Sequence, residues 1–336
     1  MNFIPKYTLS SKILNNLAAN SQLYGQLESL RIPKKLELNL ERKNLISSSY
    51  ISNSIEGNPL SLPEVTNLLL SDRVPANRDE KEVKNYFEIL KNLPTVSEFE
   101  LSTICELHKR LMKGVDDKIA GNIRNQEVVV GSYDEHKQFK IKHNPPFHDA
   151  EHIKAALLSL FDWVNKNSDL PAVIKAGLFH HEFVYIHPFV DGNGRVCRLS
   201  TVLIFLQNNF QINKYFVLDD WYDIDRFDYS DKLHTADSGD KTEWLEYFTD
   251  GVKYSLQSAL AKIKNATQSL SLEERLSVRE KEVLIIIQNN KEITSAALSE
   301  MLNISRQQAH VFLKSLFEKG FIDKKGSTKN SYYFLK

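Results

Sequence analysis

Most of the chain carries apolar residues three and four positions apart, which is the spacing of an amphipathic helix. One stretch departs from this pattern: two β-rich runs, Val128–Val130 and Phe139–Ile141, flank a polar turn and are followed by Pro145 and Pro146. Such a pattern is typical of a β-hairpin. The sequence therefore predicts a mainly helical protein with one small hairpin, and it contains no internal repeat.

Two helices and a tight loop are predicted near the middle of the chain. A mostly apolar helix begins at Pro171, and Pro188 stops it one residue after His187. Beyond two glycines, helical spacing resumes with an apolar stripe formed by Val196, Leu199, Leu203 and Leu206. The stretch His187–Arg198, HPFVDGNGRVCR, therefore joins the two helices and opens the second.

The C-terminal part differs in composition from the rest of the chain. After a polar stretch come three short helical segments and a hairpin with a Gly-Ser turn, a pattern typical of a winged helix-turn-helix. The predicted boundaries are an N-terminal helical region at 1–98, a central core at 99–262, a linker at 263–275 and the winged helix at 276–336.

Composition excludes several classes of protein. The 43 basic and 43 acidic residues cancel, so no overall field marks the chain as a nucleic-acid or membrane binder. Cys105 and Cys197 are too few for a disulfide framework, and paired zinc-site spacing is missing. The N-terminus has no apolar signal region, and the longest aliphatic run, Val283–Ile287, is too short to span a bilayer. We therefore expect a cytoplasmic protein with no membrane partner.

The loop before the second central helix has the chemistry of an anion site. Backbone N–H groups at a helix start are unpaired and carry partial positive charge. Gly192 and Gly194 let the main chain approach a ligand closely, because they have no Cβ. Arg195 and Arg198 lie three positions apart on one helix face, and arginine suits forked contacts with phosphate oxygens. Together these residues predict a polyphosphate site.

Three residues next to this site indicate which reaction it catalyses. Asp191 offers a hard oxygen ligand, and Mg²⁺ usually takes one or two carboxylates together with substrate phosphates and water. Asn193 orients either a phosphate or the loop itself. His187, with an ordinary pKa near 6.5, can take a proton from an attacking hydroxyl. We infer phosphoryl or nucleotidyl transfer. A zinc hydrolase is disfavoured because His180 and His187 would lie about 10 Å apart along a helix.

The segment HPFVDGNGRVCR matches the Fic motif at every defining position, and the chain resembles the Fic family over roughly residues 40–255. The resemblance implies an all-helical Fic fold and transfer of AMP from ATP, with Mg²⁺, to a Ser, Thr or Tyr hydroxyl of a target protein. Glycine at position 194, where kinase-like relatives carry lysine, favours AMP transfer over phosphorylation. The implied roles are a base at His187, a metal ligand at Asp191, an anion nest at Gly192, Asn193 and Gly194, and outer-phosphate ligands at Arg195 and Arg198.

Two further segments resemble the family. GNIRNQEVVVG, residues 121–131, is similar to the flap hairpin, which registers a target's extended main chain by strand addition. RFDYSDKL, residues 226–233, resembles a segment near the adenine; Tyr229 is retained there and Ser230 replaces a second tyrosine.

Glu56 stands at an unfavourable position. Gly57 and Pro59 end the preceding helix, so the carboxylate meets the negative end of the helix dipole at a cost of about 0.3 to 1 kcal/mol. Ser52 lies one turn earlier on the same face. Ser52-x-x-x-Glu56-Gly57 resembles the family's inhibitory motif, whose glutamate pairs with the second motif arginine, here Arg198. The resemblance implies autoinhibition in cis. In some relatives the same glutamate helps water to remove AMP, so a bifunctional enzyme remains an alternative.

The C-terminal module has a modest positive excess, with ten Lys and Arg against six Asp and Glu in residues 276–336. Ser305 is a plausible cap for a helix that starts with Arg306, Gln307 and Gln308, types suited to base edges and phosphates. Further phosphate contacts on the wing are expected from Lys324, Lys325 and Lys329.

Several alternatives stay open at this point. The winged helix binds either DNA or a protein, the nucleotide donor is ATP, UTP or a phosphocholine carrier, and a homodimer is compatible with the sequence. A DNA-binding regulator that only senses a nucleotide is disfavoured, because a sensor needs phosphate ligands but no base at His187.

Overall fold

The computed structural model describes residues 2–71, 73–133, 138–274, 276–326 and 331–336. The chain divides into two compact units, residues 1–261 and 262–336. Both are built mainly from helices, which confirms the fold class predicted from the apolar spacing.

The first unit is a helical assembly with one hairpin. Its helices are α1 (Ser11–Ser29), α2 (Lys34–Ile55), α3 (Leu62–Leu70), α4 (Arg78–Asn92), α5 (Leu101–Met112), α6 (Ala150–Lys166), α7 (Ala172–Ile186), α8 (Asn193–Gln207), α9 (Ile212–Tyr215), α10 (Asp219–Ile224) and α11 (Arg226–Thr235), followed by α12 (Thr242–Glu274), which begins in this unit and continues into the second one. Short 3-10 turns occupy Leu93–Thr95 and Ala236–Ser238. Between α5 and α6, strands β1 (Val130–Tyr133) and β2 (Phe139–His143) form an antiparallel pair where a hairpin was predicted. Strand β1 overlaps the predicted run Val128–Val130 only at Val130, and residues 134–137 of the predicted turn lie outside the described residues.

The centre of this unit is the packed pair α7 and α8. Helix α8 is buried on nearly every side, so the apolar stripe predicted for it is only part of a wider apolar surface. Helix α12 packs closely on α7, because a Cβ at Gly177 would lie 2.9 Å from a methyl carbon of Leu245. Trp244 Nε1 also donates to the Gly177 carbonyl oxygen at 2.7 Å. The loop between α7 and α8 is thus anchored to the rigid core.

Helix α2 brings the N-terminal region to this loop. It packs against α4, α9 and α10, and its last turns contact α8. A separate apolar cluster holds it there, formed by Ile46, Val65, Leu68, Leu69, Val83 and Phe87. The end of α2 is therefore fixed beside the start of α8.

The second unit contains the predicted three helices and terminal strands. Its elements are α13 (Val278–Asn290), β3 (Glu292–Thr294), α14 (Ser295–Leu302), α15 (Arg306–Glu318), β4 (Ile322–Lys325) and β5 (Tyr332–Leu335). The antiparallel sheet has the order β3-β5-β4, so β5 takes the centre and β3 adds a third strand that the sequence pattern did not predict. Lys329 and most of the predicted Gly-Ser turn lie outside the described residues.

The stretch predicted as a linker is mostly helical, because α12 continues to Glu274. Its sequence is polar but contains neither proline nor glycine, so nothing local ends the helix. Across the described ranges, no helix combines the length and the apolar composition needed to cross a bilayer.

Candidate active site

His187 takes an uncommon backbone conformation at the end of α7. Its φ of 51° and ψ of 65° lie in the left-handed region, which few residues other than glycine adopt. The next turn is closed by Asn193, whose Oδ1 accepts from the Phe189 N–H and whose Nδ2 donates to the Phe189 carbonyl, both at 2.8 Å. The side-chain amide of Asn193 therefore orients the loop. Only the backbone N–H of Asn193 is then available to bind an anion.

A buried arginine holds His187 in place. The guanidinium of Arg124 donates to the carbonyl oxygens of His187 at 2.6 Å, Ile186 at 3.2 Å and Gln126 at 2.7 Å. Carbonyls in the last turn of a helix lack intrahelical donors, so Arg124 satisfies groups that would otherwise be unpaired. No sequence pattern predicted a role for Arg124, although it lies in the segment that resembles the flap, residues 121–131.

The imidazole of His187 is neutral at pH 7. Burial, together with the nearby His143 and Arg124, lowers the pKa of His187 to about 4. A general base must be unprotonated to accept a proton, so this environment suits the role predicted for His187.

The carboxylate of Asp191 remains accessible in the loop, with 44% of its side chain exposed. Its Oδ1 accepts from the Gly192 N–H at 2.5 Å and lies 3.5 Å from Arg195 Nη2. Its Oδ2 lies 3.5 Å from Arg78 Nη2. An exposed carboxylate beside a helix N-terminus fits Mg²⁺, which keeps waters and phosphate oxygens in its shell.

His108 fixes the main chain behind Asp191. Its Nδ1 accepts from the Gly121 N–H at 2.9 Å, so Nε2 carries the proton and donates to the Asp191 carbonyl at 3.1 Å. The ring also stacks on Phe189 at 3.8 Å. Burial lowers the pKa of His108 to about 4, so the ring is neutral and acts as a positioning group. No spacing signal marked His108, because it comes from α5.

Both motif arginines are buried, each with 3% of its side chain exposed, and both are already paired. Arg195 Nη1 lies 3.2 Å from Glu82 Oε2. Arg198 donates from Nε to Ser52 Oγ at 2.7 Å, and from Nη2 to the Ser52 carbonyl at 2.8 Å and to Glu56 Oε1 at 2.7 Å. The structure therefore contains the predicted pair between Arg198 and Glu56. Burial would lower the pKa of Arg198, but the Glu56 carboxylate holds it above its ordinary value.

The Glu56 carboxylate lies directly over the first turn of α8. A Cβ at Gly194 would collide with Glu56 Oε1, so only glycine at this position leaves room for the carboxylate. The carboxylate thus stands at the positive end of the α8 dipole, where the sequence predicted a phosphate.

Asp219 is a further partner of Arg198 that the sequence did not reveal. Its Oδ1 lies 3.8 Å from Arg198 Nε, and its Oδ2 accepts from Ser48 Oγ at 2.6 Å. Burial raises the pKa of Asp219 to about 6, although Arg198 opposes this shift. Asp219 therefore connects Arg198 to α2 one turn before Ser52.

One cavity of about 300 Å³ brings part of the predicted set together, and its lining includes Glu56, His187, Gly194, Arg198, Tyr229 and Ser230. The lining does not include the other predicted residues, Ser52, Asp191, Gly192, Asn193 and Arg195. Val130 and Lys142 of the hairpin close one side of the cavity. The Tyr229 hydroxyl lies 2.8 Å from His180 Nε2, and its ring stacks on Tyr222 at 4.3 Å. Tyr229 therefore forms a fixed wall of the cavity. Larger cavities lie elsewhere in this unit, but their linings do not include His187.

A model of the Fic/DOC family matches residues 98–205, which contain the loop and both central helices. Residues 98–205 are therefore similar to a Fic domain. A second family model, described as winged helix-turn-helix DNA-binding, matches residues 276–323. These matches confirm the resemblance on which the fold was predicted.

The Fic domain has curated and structural relatives. Protein adenylyltransferase fic-1 of Caenorhabditis elegans is 29% identical over 247 residues, which are 70% of this chain and 45% of that protein. Protein adenylyltransferase Fic of Drosophila willistoni is 35% identical over 163 residues, 45% of this chain and 30% of that protein. The chain thus spans less than half the length of these relatives. A crystal structure of a Fic family protein from Desulfovibrio desulfuricans G20 is 25% identical with a TM-score of 0.69, and covers 99% of this chain and 98% of its own.

Proposed function

We propose that the Fic domain transfers AMP from ATP to a hydroxyl side chain of a target protein. The observation that carries the proposal is the cavity in which a neutral His187 faces the N-terminus of α8 and Arg198. His187 takes the proton of the target hydroxyl, whose oxygen bonds to the α-phosphorus as the bond to pyrophosphate breaks. The names of the relatives, protein adenylyltransferase, support this choice of reaction.

The phosphates are proposed to bind where the positive groups converge. The free N–H groups in the first turn of α8 and the guanidinium of Arg198 suit the polyphosphate, with Arg195 beside them. Asp191 is the residue to hold Mg²⁺, which would neutralise phosphate charge when bound. Tyr229 and Ser230 line the part of the cavity proposed for the adenine.

The hairpin is the proposed site for the target's main chain. Its two strands form a separate sheet, and Phe139 and Ile141 are 46% and 65% exposed. An extended peptide can add to such an edge through main-chain hydrogen bonds, which would place a hydroxyl side chain beside the cavity.

We further propose that Glu56 inhibits the enzyme in cis. While its carboxylate binds Arg198 and covers the start of α8, the γ-phosphate of ATP loses both ligands. Charge-assisted hydrogen bonds of this kind contribute about 1.5 to 3 kcal/mol each. The resting enzyme is then mostly inactive until the end of α2 moves.

AMP transfer is tested by replacing the proposed base, His187, in the Glu56→Gly variant. With ATP labelled on the α-phosphate, His187→Ala should abolish labelling of protein while ATP still binds, because only the proton acceptor is lost. His152→Ala, which changes an exposed histidine on α6, is the matched control and should label normally. Full labelling by His187→Ala would contradict the proposal, and so would labelling from the γ-phosphate instead.

A second function, DNA binding by the C-terminal unit, is favoured by the family model that matches residues 276–323. Helix α15 starts with a capping box in which Gln308 Oε1 accepts from the Ser305 N–H at 3.1 Å. Gln308 is therefore occupied by the cap. The exposed face left for a groove is formed by Arg306, Gln307, His310, Val311 and Lys314.

This function is tested by the retention of the full chain on duplex DNA at rising salt. We expect retention at low salt and a steep loss as salt rises, because bound phosphates release counterions. Arg306→Ala should weaken retention, whereas Arg279→Ala, an exposed arginine on α13, should not. If the two variants behave alike, or if nothing is retained at low salt, α15 does not read DNA.

A further inference from the structure

A cluster of histidines surrounds one carboxylate outside the groups that the proposed transfer uses. Asp237 Oδ2 lies 3.1 Å from His143 Nδ1 and 2.9 Å from His234 Nδ1. Its other oxygen, Oδ1, lies 2.9 Å from His181 Nε2. The four residues come from β2, α7, α11 and the 3-10 turn that follows α11.

The hydrogen bonds of His143 determine which of its ring nitrogens carries the proton when the ring is neutral. The nitrogen without the proton is Nδ1, which faces the Asp237 carboxylate. Nε2 lies 2.9 Å from the Tyr185 carbonyl oxygen, an acceptor, so Nε2 must carry the proton of a neutral ring. The lone pair of Nδ1 then faces Asp237 Oδ2. Two acceptors at this distance repel each other unless a proton or a cation lies between them. Only 3% of the His143 side chain is exposed, so this nitrogen and the carboxylate meet in the protein interior.

The carboxylate is held from its other side. Lys241 Nζ lies 2.7 Å from His181 Nδ1 and donates to it, so His181 Nε2 carries the proton that it donates to Asp237 Oδ1. The Tyr185 carbonyl orients His143 and His181 orients Asp237, which is how outer groups orient the ligands of metal sites.

We propose that His143 Nδ1, His234 Nδ1 and Asp237 Oδ2 bind a first-row divalent transition metal ion, with Zn²⁺ as the best fit. The three atoms lie within 4.8 Å of one another. Their closest separations, 2.9 and 3.1 Å, approach the roughly 3.3 Å between ligand atoms of a tetrahedral site with bonds of about 2.0 Å. Two imidazoles and one carboxylate favour such an ion over Mg²⁺, and leave a fourth position for water.

The location of the site lets an ion reach it from the cavity, and binding would link two elements of the fold. His234 lines the 300 Å³ cavity and is 20% exposed, so an ion can enter from that side. The His143 ring centre lies 6.5 Å from that of His187. A bound ion would link strand β2 of the hairpin to α11 and the following turn, close to the proposed base. The site is therefore separate from Asp191 and constrains the flap.

Metal binding by the full chain tests the site independently of AMP transfer. After chelation, Zn²⁺ is titrated calorimetrically in the presence of excess Mg²⁺. We expect one equivalent to bind the wild type, and the affinity to fall at least about tenfold in His234→Ala and in Asp237→Asn, because each removes one ligand. His152→Ala is the matched control: its ring pairs with Asp149 at the surface, 2.7 Å away, without a third ligand, and Zn²⁺ binding should be unchanged.

A second measurement, on the wild type, tests the site if circular dichroism shows that the variants do not fold. Co²⁺ added to the wild type should give visible absorption bands that Zn²⁺ then abolishes, since both ions compete for the same nitrogen and oxygen ligands. The proposal is overturned if the wild type binds no Zn²⁺ and shows no Co²⁺ bands, or if folded His234→Ala binds as tightly as the wild type.

Discussion

Arg198 is a buried cavity residue whose guanidinium has several polar partners. It contacts Glu56 and Ser52 from the end of α2, and it lies 3.8 Å from Asp219. Since it is buried, each of these partners offsets part of the cost of desolvating the guanidinium. On the proposed function, an incoming phosphate would replace the Glu56 carboxylate rather than enter a vacant site.

The sequence could predict only part of this constellation. His187, Asp191 and both arginines lie within one short motif, and the Glu56 pair followed from a second motif that resembles a known one. Asp219 and Ser48 carry no such signal, because a single carboxylate 21 positions after Arg198 reaches it only through the packing of α10 on α2. The side chain of Asn193 is buried and hydrogen-bonds to the main chain of the loop. Sequence spacing alone could not show whether Asn193 orients the loop or a phosphate.

The environment of His187 makes a testable pH prediction. Because its pKa is lowered to about 4, the imidazole stays unprotonated as pH falls through the ordinary value of 6.5, and the base is lost only near pH 4. The labelling rate of Glu56→Gly should therefore change less than about twofold between pH 7.5 and 6.0, whereas an ordinary pKa would lower it about fourfold.

Tryptophan fluorescence at each pH would serve as the control for unfolding. A fourfold fall in the rate between these two values, with the protein still folded, would show that the His187 ring is not desolvated as the structure indicates.

At the scale of elements, the cavity depends on how α7 ends. The carbonyls of its last turn are satisfied by Arg124, which is contributed by the segment just before β1. The position of the proposed base is therefore coupled to the base of the flap hairpin. Element types were predictable from apolar spacing, whereas β3 was missed because three residues are too few for an alternating pattern to show.

Arg124→Lys tests this coupling. Lysine keeps the charge but not the fork, so at least one of the three bonded carbonyls should lose its partner, at about 1 to 3 kcal/mol for each buried acceptor. We expect a lower melting temperature and weaker labelling in the Glu56→Gly background. Arg31→Lys, at an exposed position, should change neither. Equal melting temperatures for the two variants would show that Arg124 does not anchor the end of α7.

At the scale of the whole molecule, the chain joins a Fic domain to a winged helix-turn-helix. The two units have separate apolar cores, and that of the second is built from residues such as Val283, Ile287, Leu298 and Leu313. The stretch predicted as a linker belongs to the second unit and is helical to Glu274, because polarity alone does not end a helix. On the proposed inhibition, a signal that activates transfer would move the end of α2 away from Arg198.

In the proposed mechanism, the Glu56 carboxylate and the γ-phosphate of ATP compete for Arg198. The most direct test of this competition is the rate at which the full chain labels itself with α-labelled ATP and Mg²⁺, compared among the wild type, Glu56→Gly and Glu98→Gly. Glu98 is an exposed loop glutamate and serves as the matched control. Loss of one charge-assisted pair of about 1.5 to 3 kcal/mol should raise the rate of Glu56→Gly by roughly ten- to a hundredfold, with Glu98→Gly unchanged. Equal rates in all three proteins would contradict the account.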